Sequence, residues 1–262
     1  MALAIRGTDF APGTAENDIS FARELGLMAS FHVACAKHGP RPQSMQSLAE
    51  RHLLGPDINL VHANFLSPDE FRVVANNGTS VSITPEVEMQ MGLGLPPTGA
   101  ALAARVNLNI GTDVVTGVST DIFTQMRFLL QTQRALANET FHKRETMPDR
   151  LTITAQQVLE LATIKSAQCL GLDRRIGSLS PGKQADVVLL RKKDINMRAA
   201  ADPIAAIVLH AGVNNVDTVI INGNIVKQDG KLSYRDLDRR LTELERSSDQ
   251  LYAGFASDAS AA

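Results

Sequence analysis

A chain of 262 residues with 26 basic and 28 acidic side chains has a formal charge of −2, so it lacks the positive field that a nucleic-acid or anionic-membrane partner requires. Hydrophobic residues at 44% and charged residues at 21% exclude disorder as the main state. Aromatics at 4%, with no Trp, leave an aliphatic core and no stacking platform for bases. Cys35 and Cys169 are too few for a disulfide framework and suit a reducing cytoplasm. No apolar run reaches the roughly 18 residues that span a bilayer, and no leader pattern stands at the N-terminus, so a soluble, untargeted, cytoplasmic protein is expected.

A strand at residues 3–5 follows Met1 with no lead-in, which suggests a beginning in the middle of a fold. From there to residue 170, short β-like runs alternate with helical runs, the pattern of parallel βα units. Further strands are read at 27–32, 58–62, 80–84 and 108–110. Ser67-Pro68-Asp69-Glu70 combines a capping box with Pro at the first helical position and predicts a helix from 68 to about 76. Gly92-Leu93-Gly94 runs into Leu95-Pro96-Pro97 and opens no helix, so it is read as a loop, not a dinucleotide fingerprint. Thr154-Ala155-Gln156-Gln157 is a second capping box, flanked by Ile153 and Val158 as a hydrophobic staple, and its helix should stop at Gly171.

After Leu172 the texture becomes β-branched runs punctuated by Pro181-Gly182, Asn222-Gly223 and Asp229-Gly230, which are turn and hairpin signals. A charged, solvent-facing helix is expected at about 234–251, then a mobile tail, ASDASAA. The organisation read is therefore a βα portion (1–170), β-strands (171–232), and a C-terminal helix with its tail (233–262). Five strands fall short of the eight that a (β/α)8 barrel packs into about 250 residues. An unrelated doubly wound binding domain is the alternative.

Three strand ends carry a residue able to bind metal or move a proton: His32, His62 and, after Leu108-Asn109-Ile110, Asp113. In a parallel barrel the C-terminal strand ends share one face, where active sites are built. Two imidazoles and a carboxylate there suit a borderline cation such as zinc. The plainer readings are a hydrogen-bonded structural histidine at each strand end and a capping role for Asp113. Cys35, three residues beyond His32, is a candidate nucleophile, but with no acid/base partner visible in the sequence it is read as a small buried thiol; Glu86 and Glu88 are read as lining the mouth at the strand ends or as solvated loop carboxylates. His38, His52, His142 and His210 are taken as surface or packing residues, His52 within a helix.

The order strand-His, strand-His, TPEVEMQMG, GTD, IGSLSPGKQADVVLL and VIINGNIV resembles the C-terminal portion of the amidohydrolase superfamily, in the branch of cytosine deaminase and the chlorotriazine hydrolases. The resemblance implies an α/β architecture: a partial (β/α)8 TIM-type barrel, about strands 4 to 8, followed by part of a small β-sandwich. It implies a metal-dependent hydrolase acting on non-peptide C–N bonds of a small heterocycle through a metal-activated water. Matched residue by residue, His32, His62 and Asp113 are the metal set, with Asp113 accepting a proton and His62 hydrogen-bonding the developing oxyanion; Cys35 and Glu88 are expected at the substrate. The ion is zinc or iron. The superfamily's first-strand His-x-His is absent from this sequence, and Cys35 stands where deaminases of this branch usually carry Glu. Simple deamination is thus in doubt, and a catalytically inactive fragment or scaffold subunit is the competing expectation. A five-stranded arc exposes strand edges, so a homo-oligomer, or completion by another polypeptide, is expected.

Overall fold

Five short runs of alternating side chains form a parallel sheet in the computed structural model, which describes residues 1–7, 13–35 and 44–259 and side chains as far as residue 253. Strands and helices alternate as β1 (Ala2–Ala4), α1 (Thr14–Glu24), β2 (Met28–Val33), α2 (Met45–Glu50), β3 (Ile58–His62), α3 (Pro68–Asn76), β4 (Ser80–Ile83), then α4 (Pro85–Gln90) and α5 (Thr98–Ala103) before β5 (Asn107–Ile110). The five strands pair in sequence order, every pair parallel. A doubly wound sheet reverses its order at a switch point, and the described strands do not, so the doubly wound alternative falls.

The two faces of the sheet differ because side chains alternate along each strand. One face presents Phe31, Leu60, Val81 and Leu108 in register across β2 to β5. Ile19 of α1, Leu48 of α2, and Phe71 and Val74 of α3 join these four in the main core, all of them essentially buried. The other face is polar. Asn59 Nδ2 donates to Ser30 Oγ at 3.0 Å, and the hydroxyls of Ser80 and Ser82 each lie 3.0 Å from Asn59 Oδ1. Ser82 Oγ also lies 2.8 Å from Asn109 Oδ1. This hydrogen-bonded row ties four strands together directly below the strand ends.

The sheet is followed by α6 (Ile122–His142), α7 (Ala155–Leu161), α8 (Ile164–Cys169) and α9 (Pro203–Leu209), and by an antiparallel sheet of β6 (Val187–Leu190), β7 (Val216–Ile221), β8 (Asn224–Gln228) and β9 (Lys231–Leu232). Asn222 and Gly223, at φ +48° and +79°, make the β7–β8 hairpin; Asp229 and Gly230, at +50° and +77°, make the next. Such paired positive φ angles define the tight turn that matches strand twist. Leu129 and Leu130 of α6 are fully buried. Among the described residues no helix is long and apolar enough to cross a membrane.

Both capping boxes form, at Ser67 and at Thr154, and Ile153 and Val158 are both buried. Three expectations need correction. The helix expected from Thr154 to Gly171 is two helices, broken at Thr163. Thr163 Oγ1 donates to Leu159 O and Ser166 Oγ to Leu161 O, both at 2.7 Å, so hydroxyls take carbonyls that a continuous helix would use. Gly177 packs so closely on α8 that a Cβ there would stand 2.7 Å from Ala167 Cβ. His52 lies beyond the end of α2, not within it, at φ +55°. The last helix, α10 (Leu237–Ala259), is exposed at all its described side chains except the half-buried Leu237 and Ser248, but it continues into ASDASAA as far as Ala259. His38 and residues 260–262 lie outside the described residues.

Candidate active site and metal centre

Parallel strands place their C-terminal ends along one edge, and there the chain adopts left-handed backbone at four non-glycine residues: Ala34 (φ +49°), His62 (+71°), Ala63 (+58°) and Asp113 (+64°). Each such residue costs of order 1 kcal/mol, and strain of this kind clusters where side chains must be aimed. The turns are fixed by backbone bonds between neighbouring strand ends: Ala63 N donates to Val33 O (3.1 Å), Phe65 N to Ala34 O (3.0 Å) and Gly111 N to Ile83 O (2.9 Å). Gly7 lies against His32, where a Cβ would meet the His32 carbonyl oxygen at 2.3 Å. Gly94 lies against the segment following His62, where a Cβ would stand 2.7 Å from Asn64 Cβ. The Gly92-Leu93-Gly94 stretch is thus a loop, as read, but one that backs the site.

The three strand-end residues come together. The rings of His32 and His62 are 5.0 Å apart between centroids, inclined at 54°. His62 Nε2 lies 3.5 Å from Asp113 Oδ2. His62 is buried, Asp113 is partly exposed and His32 faces solvent. Cys35 is half-buried at the same place: one ligand atom each from His32, Cys35 and His62 all lie within 4.8 Å of one another. The crowding around the His32 ring lowers its pKa; neighbouring His62 adds to that effect, and the Asp113 carboxylate opposes it.

His62 is held from behind. Its Nδ1 lies 3.0 Å from Thr84 Oγ1 and 3.3 Å from Glu88 Oε1. That same carboxylate oxygen accepts from Thr84 N at 2.9 Å and from Thr84 Oγ1 at 3.2 Å. The network assigns the ring proton to Nδ1, since both partners there accept, and leaves Nε2 directed at Asp113. Glu88 is fully buried beneath His62, so its contact in this structure is to the imidazole and not to the open mouth. Its Oε2 accepts no hydrogen bond among the described residues. Glu86 points elsewhere: its Oε2 accepts from Ser119 N (3.0 Å) and Gln125 Nε2 (2.7 Å), tying α4 to the loop after Asp113.

Thr84 was within reach of sequence reasoning, because it is a polar residue at the end of a strand, the rule that selects His32 and His62. Its weight comes only from the neighbours it joins. Cys169 is buried beneath the sheet, with its Sγ 3.6 Å from Asn107 O and its thiol pushed up by burial. His142 ends α6, and His210 caps α9.

An alternating parallel sheet gathers two histidines and an aspartate at its C-terminal edge, and comparison with known proteins identifies the family. The pattern of the Amidohydrolase family matches residues 18–226, and the chain belongs to that family. It is 31% identical over 216 residues to a 5-methylthioadenosine/S-adenosylhomocysteine deaminase of Desulforudis audaxviator, covering 82% of this chain and 48% of the relative. It is also 31% identical to an S-triazine hydrolase of Gordonia rubripertincta, covering 84% of this chain and 44% of the relative. Among solved structures, an adenosine deaminase from Xanthomonas campestris with bound zinc aligns at a TM-score of 0.85 and 25% identity, over 96% of this chain and 57% of that one. The chain spans about half the length of the curated relatives it matches.

Proposed function

We propose that this chain carries the C-terminal half of an amidohydrolase barrel, its five parallel strands corresponding to strands 4 to 8 of a (β/α)8 barrel, with part of a β-sandwich after it. Residues 1–170 form the barrel portion, 171–232 the sandwich strands and 233–262 the C-terminal helix and tail. The activity proposed is hydrolysis of a non-peptide C–N bond in a small, heterocyclic substrate. The deaminases and triazine hydrolase among its relatives support that substrate class. The observation that carries the reading is the meeting of His32, His62 and Asp113 on one strand-end edge. A cytoplasmic location is proposed with it, in keeping with two cysteine thiols.

The donor set fits a divalent ion: two imidazoles and a carboxylate suit zinc, with iron the other candidate. His32, His62 and Asp113 would hold it. When bound, such an ion supplies Lewis-acid charge that lowers the pKa of water to about 7. The remaining work falls to the chain's own groups. Asp113, the more exposed of the two carboxylates beside His62, accepts the proton of the attacking water at Oδ2. His62, kept in one tautomer by Thr84 and Glu88, presents its unprotonated Nε2 to the ion, so in this tautomer it does not donate to the developing oxyanion. Cys35 borders the substrate site, whereas Glu88, expected there from the sequence, acts from beneath His62 by orienting its ring.

Asp113→Ala is expected to lower kcat for C–N hydrolysis by about 10² or more with the melting temperature little changed. Unchanged turnover would remove Asp113 from the mechanism. A non-catalytic scaffold subunit is the second reading, favoured by Cys35 standing where deaminases of the resembled branch usually carry Glu. Metal analysis of the purified chain separates the two: about one transition-metal ion per chain supports the hydrolase, and none supports the scaffold.

A further inference from the structure

We propose that Cys35 is a metal ligand, its thiolate joining His32 and His62 on a single divalent ion. The inference rests on the metal reading above and deepens it by assigning a soft donor to the site. Three observations carry it. First, the ligand atoms of His32, Cys35 and His62 lie mutually within 4.8 Å. Second, the backbone departs from strand geometry between them: Ala34 adopts φ +49° directly after β2, and Cys35 lies on the side of His32. Third, His62 Nδ1 is engaged by Thr84 and Glu88, which leaves Nε2 as its ligating atom, the arrangement in which a carboxylate behind a histidine orients it toward a metal.

The chemistry of the set selects its ion. Imidazole and thiolate together suit zinc, cobalt or iron over magnesium or calcium, which prefer oxygen. Zinc bonds of about 2.3 Å to sulfur and about 2.0–2.1 Å to nitrogen put tetrahedral donors roughly 3.6 Å apart. Closing from 4.8 Å needs a side-chain movement of about 1 Å, available to Cys35 and to the solvent-facing His32. On binding, the Cys35 Sγ–H bond breaks, its proton leaves to solvent and Sγ bonds the ion. With two imidazoles and a thiolate from this chain on the ion, Asp113 can move a proton without unseating it.

The test is a cobalt(II) titration of the full chain after chelator treatment, with Cys35→Ser and Cys169→Ser in parallel. A thiolate-to-cobalt charge-transfer band is expected in the wild type and in Cys169→Ser. It should be absent in Cys35→Ser, with cobalt affinity lowered by roughly tenfold or more. Cobalt bound without that band, or a band that survives Cys35→Ser, overturns the assignment while leaving the imidazole and carboxylate site standing. No cobalt binding in the wild type overturns it together with the metal reading. A measurement that needs no variant is alkylation by iodoacetamide: zinc is expected to slow modification of Cys35, and an unchanged rate at saturating zinc also defeats the proposal.

Discussion

His62 stands between two carboxylates of unequal exposure, Glu88 fully buried and Asp113 19% exposed, and that difference divides their work. A buried carboxylate already accepting three hydrogen bonds orients; one beside the open face is free to exchange protons. Away from the site, Asp57 shows how a paired carboxylate acts on stability. Arg23 Nε donates to it at 2.7 Å and Nη2 at 3.3 Å, and this bonding, with the guanidinium charge, lowers the Asp57 pKa. A carboxylate held below its unfolded value near 3.9 adds stability above that pH and loses it as pH falls through the folded pKa. Both partners are more than a third exposed, so the contribution is at most about 1 kcal/mol. The stability difference between wild type and Asp57→Asn, from urea unfolding, is expected to shrink as pH drops from about 6 to about 3. A difference that stays constant across that range would count against the pair.

At the scale of elements, local chemistry sets the boundaries. Ser67 accepts from Glu70 N at 3.3 Å while Glu70 Oε2 accepts from Ser67 N at 3.0 Å, and α3 starts where Pro68 predicts. Ser67→Ala should cost about 1 kcal/mol in urea unfolding, and a loss below a few tenths would show that tertiary packing alone sets that end of α3. The hairpin turns at Asn222-Gly223 and Asp229-Gly230 were legible for the same reason, since only a few residue types tolerate paired positive φ. The break at Thr163 was not. It depends on hydroxyls of Thr163 and Ser166 competing for carbonyls and on the Gly177 segment lying against α8, and the latter is a contact between residues that local pattern does not connect.

At the scale of the molecule, the parallel sheet ends on β1 and β5, each paired on one side only among the described residues. Beside those edges, Ser30 and Asn109 on the polar face are only half-buried. Open edges of this kind recruit other strands. Sedimentation of the isolated chain is therefore expected to show self-association, or a poorly folded species that a second polypeptide completes. A well-folded monomer at every concentration would contradict this.

The residue pattern by itself determined the five parallel strands, the capped helix at Ser67, the hairpins, and that His32, His62 and Asp113 come to one edge of the sheet, because parallel strand direction fixes which edge the ends share. Tertiary structure alone decided which groups stand behind and beside them. Glu88 lies under His62 and Cys35 lies within reach of both histidines because left-handed turns at Ala34, His62 and Asp113 aim the chain. Those turns are held by bonds between neighbouring strands, and a short stretch of sequence does not encode them.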